Sequence, residues 1–363
     1  MTGILQLALS SLNRLAAGMR RPALPFALLL TACTTVTPPN KPAVEPSRTS
    51  APPVSVEQDA LRALVAQQDR LYRVAAPLLV NNTSLCKSQA RNLLGFTAKN
   101  KYSYSAEYVN AAQNLLGLDE RLQVVGVLIS SGAARSDVRK GDTLVEVEGK
   151  AMPEGENAER QAAIVLAPLV TGRSSVKMIV ARGSSRISLN VPLTYACAFG
   201  IELGNTDNVT AYADGHRVLV TRGMMSFAST DEELAYVLAK EMAHNVLNHA
   251  SKQHMNATIG GIIDNLARMH PDMSTMAGLS GVRPMPQELD AMADKLSLYM
   301  LARAGYNVDR AVAFWKKIAN QYPASMLNAY TALHPATDYR ITAMEKTVAD
   351  IKAKQAARKP LMP

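Results

Sequence analysis

The sequence predicts an α+β protein: a mainly helical chain with a small β element, interrupted by a β-rich insert. Three observations carry this. Apolar residues recur at helical spacing in "VEQDALRALVAQQDRLYRVAAPLLV", residues 56–80, where Leu61, Leu64, Val65, Leu71 and Val74 fall on one stripe. Residues 121–193 alternate apolar and polar positions between glycine turns, as strands do. From residue 197 the texture changes again, from strands to long helices.

The bulk numbers fit such a chain. At 363 residues it can form two domains with a sizeable core, and 48% hydrophobic with 19% charged residues is ordinary for a soluble protein. The formal charge is +9; a chain starting at Cys33 loses Arg14, Arg20 and Arg21 and keeps about +6. That excess favours anionic surfaces such as lipid headgroups. No Lys/Arg-rich run with interleaved aromatics occurs, so no nucleic-acid partner is expected.

Residues 1–32 end in "MRRPALPFALLLTA", a basic start and an apolar run before Cys33, the order of a secretory signal. Met1 or Met19 is the start. "LTAC", residues 30–33, resembles the bacterial lipobox, which implies acylation of Cys33 and anchoring of the chain in the cell envelope. Thr34, not an aspartate, follows the cysteine, which by the same resemblance favours the outer membrane, facing the periplasm. The competing reading is an ordinary cleaved signal or a short buried run. Residues 33–55 are Pro/Ser/Thr-rich and form a tether.

The body divides into an N-terminal part, 56–114, the insert, 115–195, a C-terminal part, 196–358, and a tail, 359–363. In the insert, "RLQVVGVLISSGAARSDVRKGDTLVEVEGKAM" (121–152) reads as strand, short helix, Gly-Asp turn and strand. A helix follows at 156–170, then two strands joined at Gly183. Residues 254–286 are a Gly-, Met- and Ala-rich connection, and helices are expected at 287–305, 308–322 and 337–358. After Cys33 an even pair of cysteines remains, Cys86 and Cys197; in an oxidising compartment it suggests a disulfide, the alternative being two buried thiols.

The "GAARSDVRKGDTLVEVEGK" core resembles a PDZ domain of the bacterial protease-associated type. Such a domain implies binding of a peptide's C-terminal strand at a sheet edge, with the carboxylate in a backbone nest. The nest is expected at Leu116, Gly117 and Leu118, followed by the edge strand. A Cys86–Cys197 bond would then staple the two ends of the insert.

The chemistry-bearing stretch is "ELAYVLAKEMAHNVLNHA", 233–250. A zinc hydrolase of the H-E-x-x-H kind places two imidazoles at i and i+4 on one helix face, with the glutamate between them deprotonating the metal-bound water. Together with "NVTAYADGHRVLVTRGMMSF", "ADKLSLYMLARAGYNVDRAVAFWKKI" and "LHPATDYRITAMEK", in that order, the stretch resembles the HtpX-like and CAAX-prenyl-protease-like zinc metallopeptidases, in their periplasmic lipoprotein branch. The resemblance implies a zincin-type fold. It maps the general base onto Glu241 and the second histidine ligand onto His244. It maps the first histidine onto Lys240 and the glutamate ligand of an "ExEAD" pattern onto Met292, within "DAMAD". Two of three ligands are then replaced. His249 lies five residues on, about 140° round an ideal helix. Asp290 and Asp294 lie about 160° from Met292, and Glu288 a turn away, roughly 6 Å. His334, in "HPATDYR", is expected near the cleft and able to approach a metal.

A protonated lysine has no lone pair to give a metal. Lys240 is instead expected to place its charge where zinc would stand, with Glu241 vestigial. The leading expectation is a pseudopeptidase without a cofactor, binding peptides or envelope proteins through the PDZ-like groove and the cleft, in quality control. The alternatives are an active zinc metalloendopeptidase cleaving envelope proteins through Glu241, His244 and a rearranged ligand such as His334 or Glu288, and a purely structural lipoprotein.

Overall fold

The computed structural model describes residues 55–274 and 282–363. The signal, Cys33 and all of the tether except Ser55 lie outside the described residues, as does part of the 254–286 connection.

Helix α1 (Val56–Asn81) opens the described chain. The Ser55 hydroxyl accepts from the Gln58 N–H while the Gln58 side chain reaches back to the Ser55 N–H, a reciprocal cap. Of the expected stripe, Leu61, Leu71 and Val74 are fully buried, and Leu64 and Val65 pack half-buried beside them. A disulfide joins Cys86 to Cys197. Between the two cysteines the chain forms strands β1 (Ala90–Leu93) and β2 (Phe96–Lys99), helix α2 (Val109–Leu116), strands β3 (Gln123–Val127), β4 (Thr143–Val147) and β5 (Lys150–Ala151), helix α3 (Ala158–Val170), and strands β6 (Ser175–Arg182), β7 (Ser185–Pro192) and β8 (Thr194–Cys197). β1 pairs with β8 next to the disulfide. The rest is one sheet in the order β2-β3-β4-β6-β7, with β5 on β4.

This sheet begins at Phe96, ahead of the boundary expected at 115. The strand within 121–127 is not its edge, because β3 is paired on both sides, by β2 and β4. The edge is β2, four residues too short to show a period in the sequence.

The C-terminal part opens with β9 (Gly200–Gly204), β10 (Ala211–Ala213) and β11 (Arg217–Thr221), in the order β10-β11-β9. Helix α4 (Asp231–Val246) follows. Thr230 caps it with Glu233 in a second reciprocal cap, and three acids in its first turn suit the positive end of the helix dipole. α4 is buried without a break from Leu234 to Asn245, so it is the central helix of the core. The connection after it contains a helix, α5 (Asn256–Leu266). Gly260 and Gly261 lower its propensity, yet Ile259, Ile263 and Leu266 fall on one buried stripe that holds it. Met255 and Met285 of the same connection are core residues. Helices α6 (Gln287–Arg303), α7 (Ala311–Gln321) and α8 (Asp338–Ala356) complete the chain, with α6 packed between α4 and α8. Among the described residues no helix is long and apolar enough to cross a membrane. The protein is α+β.

Candidate functional site

Two helices bring the site together by the same spacing. On α4, Lys240 and His244 are four residues apart; on α6, Asp290 and Asp294 are four apart, so each pair shares one face. The faces meet. Lys240 Nζ lies 3.3 Å from Asp290 Oδ1 and 3.0 Å from Asp294 Oδ1, and 5.1 Å from the Trp315 ring centre. His244 Nε2 is 3.1 Å from Asp290 Oδ1. From α8, Arg340 donates to both oxygens of Asp294 at 2.7 and 3.0 Å and lies 3.2 Å from Asp290 Oδ2. His334 donates through Nδ1 to Asp290 Oδ1 at 2.7 Å, and the Tyr330 hydroxyl donates to Glu241 Oε1 at 2.7 Å. None of these nine side chains is more than 4% exposed.

The geometry corrects the mapping of the α6 ligand. Met292 is 48% exposed, on the side of α6 away from the cluster, because two residues turn a helix by about 200°. Asp290 faces Lys240 and His244 instead. Glu288, also weighed as a substitute ligand, is exposed. Only the Lys240 position therefore lacks a metal donor. His249 also differs from expectation. α4 stops at Val246, and Asn248, with φ at 55°, turns the chain back so that His249 Nδ1 meets His244 Nδ1 at 3.0 Å. The 140° offset assumed a helix that continues. Sequence reasoning set aside Asp290, Asp294 and His249 and did not consider Tyr330, Trp315 or Arg340. The repeated four-residue spacing on the two helices was the available signal.

Burial and charge set the protonation states. Burial pushes the Asp290 carboxyl up, but Lys240 and His334 outweigh it and hold the group well below the usual carboxylate range. Burial lowers His334 despite Asp290 beside it. It pushes His249 down to about 3, helped by His244. The Tyr330 phenol rises well above its ordinary value, through burial and then the Glu241 charge.

Could these residues hold zinc? His244, Asp290 and His334 each offer a donor atom within 4.8 Å of the others, and Nε2 of both histidines has no aligned hydrogen bond among the described residues. That donor set suits zinc. The charges do not. Lys240 and Arg340 pair with Asp290 and Asp294, and with Glu241 beside them the buried cluster holds two cations against three carboxylates, so a divalent ion would leave it net positive. With Lys240 in place the residues do not fit the ion.

A second feature lies along β2. A cavity of about 1130 Å³ runs from Leu94 and Gly95 past β2 and α3 to α1 and β9. The N–H groups of Leu94 and Gly95 donate to no described residue, and Gly95, at φ 81°, is buried. Two adjacent free N–H groups beside an unpaired strand edge form a concavity for an anion. The nest expected at Leu116–Leu118 is absent. Gly117 ends α2, its N–H and that of Leu118 donate to helix carbonyls, and Leu118 is 1% exposed in the core.

Residues 175–348 match the Peptidase family M48. The chain is 23% identical over 147 residues to the mitochondrial metalloendopeptidase OMA1 of Schizosaccharomyces pombe, which covers 39% of this chain and 44% of that one. It is 27% identical over 165 residues to the beta-barrel assembly-enhancing protease of Yersinia pestis, covering 40% of this chain and 33% of that one. It thus spans less than half the length of these curated relatives. Among solved structures it is similar to the HtrA3 PDZ domain bound to a phage-derived ligand, at 18% identity, 29% of this chain, 88% of that one and a TM-score of 0.21. Lys240, Glu241, His244, both α6 carboxylates and His334 all fall within the matched segment, and the chain carries a domain of peptidase family M48.

Proposed function

We propose that the protein is a peptide-binding factor on a zincin-type metallopeptidase scaffold in which an internal ammonium ion replaces the metal. The observation that carries this is Lys240 Nζ at 3.3 and 3.0 Å from Asp290 and Asp294, with no exposure to solvent. Glu241 supports it, because one oxygen of its carboxylate is already engaged by the Tyr330 hydroxyl. Peptide partners dock in the groove along β2, where the segment between Cys86 and Cys197 acts as an inserted PDZ-like domain. An anchor at Cys33 and an envelope location complete the reading, in which the protein serves quality control of envelope proteins.

A second reading, an active zinc endopeptidase, is favoured by the Nε2 atoms of His244 and His334, which make no aligned hydrogen bond among the described residues. Metal content separates the two. The first expects the purified chain to hold well under one zinc and Lys240→His to raise this toward one. One tightly held zinc in the unaltered chain, with peptide cleavage abolished by a chelator, would establish the second.

A further inference from the structure

The cavity along β2 has a far wall built by the other half of the protein. Tyr72 of α1 and Phe199 and Glu202, before and within β9, line it opposite β2, and β9 is itself an edge strand. Glu202 is half-buried there with no hydrogen bond or ion pair to any described residue. Burial raises its carboxyl, and Lys99, the first charge acting against that rise, stays beyond ion-pair distance, its Nζ 5.3 Å from the Tyr104 ring centre. Asp69, which also lines the cavity, is taken up by Lys140 at 2.9 Å, so among the described residues Glu202 is the carboxylate of this wall without a cation of its own. The Tyr72 phenol is pushed up to about 12, by burial and then by Glu202, with Asp69 and Glu159 adding to it. At the other end of the groove the sign reverses, because Arg91, exposed and without a partner among the described residues, stands next to the free N–H groups of Leu94 and Gly95.

We propose that this groove selects peptides whose apolar C-terminal residue follows a basic side chain about four positions upstream, with Glu202 as the residue that reads it. The inference rests on the groove reading given above. A carboxylate held at Leu94–Gly95 fixes the peptide's direction, antiparallel to β2. Phe96–Lys99 then spans ~13 Å of strand, which brings a residue about four before the end to the Lys99 end, where Glu202 lies. A lysine or arginine there gives Glu202 its missing partner in a partly dry setting. An acidic residue there meets the like charge of Glu202.

Fluorescence anisotropy with the full chain and labelled octapeptides ending in a free valine carboxylate tests this, with lysine, alanine or glutamate four positions before the valine. The lysine peptide is expected to bind roughly tenfold tighter than the glutamate peptide. That ratio collapses in Glu202→Gln and is kept in Glu202→Asp, with near-ultraviolet circular dichroism reporting the fold of each. Equal affinity for the peptides, or a lysine preference that Glu202→Gln leaves intact, overturns the role of Glu202 while the groove stands. If no free-acid peptide binds, or an amidated one binds as well, the groove reading itself falls and this inference with it.

Discussion

Lys240 and Asp294 face each other at 3.0 Å, on different helices and with essentially no solvent contact. An ion pair in that setting contributes little net stability over an apolar pair, but removing one partner strands the other charge. Lys240→Met leaves Asp290 and Asp294 with Arg340 as their remaining full cation, and is expected to cost about 3–5 kcal/mol. Urea unfolding measures it. A loss below about 1 kcal/mol would mean that the ammonium does not balance these carboxylates.

Exposure of Met292 and burial of Asp290 make a prediction about metal binding. In a Lys240→His background, zinc binding is expected to vanish with Asp290→Asn and to stay unchanged with Met292→Glu. Elemental analysis of the dialysed variants reads both. Zinc that rises with Met292→Glu would restore the original mapping.

What the sequence made legible was the helical frame, the strand alternation of β6 and β7, and the stretch around Glu241. Those signals are local and repeat within a few residues. The α6 ligand position was misread because "DAMAD" places three candidate residues within five, and only the packing of α6 against α4 decides which face is inward. His249 was misread because nothing in "HNVLNHA" announces that the helix ends at Val246; Asn248 tolerates the left-handed backbone there. β2 was missed because edge strands this short carry no period. The disulfide was legible because two cysteines flanking one insert have few alternatives.

Acid should destabilise the fold through His249. Its folded value of about 3 lies below the ordinary 6.5, so the unfolded chain binds the proton first as pH falls. The stability is present above pH 6.5 and declines between 6.5 and 3. Asp290, also held low, adds loss in the same direction at the acid end. His249→Gln is expected to flatten the dependence of unfolding free energy on pH within that window. A slope identical to that of the unaltered chain would show that folding leaves the proton affinity of His249 unchanged.

The Cys86–Cys197 bond closes a loop with a sequence separation of 111. Cross-linking restricts the unfolded chain, and for a loop of this size the effect is about 4–5 kcal/mol at most. Replacing both cysteines by alanine is expected to lower stability by about 2–4 kcal/mol in denaturant unfolding, with no change in zinc content. An unchanged midpoint would show that pairing of β1 with β8 alone holds the ends of the insert.

Two glycines with similar backbone angles separate the proposed nest at Leu94–Gly95 from the one expected at Leu116–Leu118. Gly95 has φ 81° and Gly117 φ 66°, so alanine at either costs about 1–2 kcal/mol of backbone strain. Their surroundings differ. A Cβ on Gly95 would lie 2.6 Å from Ser131 Cβ, whereas nothing lies within 4 Å of one on Gly117. Gly95→Ala must therefore shift the Leu94–Gly95 turn and misaim its two free N–H groups. Binding of a free-acid peptide is expected to fall more than tenfold in Gly95→Ala and to change less than twofold in Gly117→Ala, by anisotropy at equal folded fraction. The reverse order would put the carboxylate back at Leu116–Leu118, where the helix carbonyls already hold the amides.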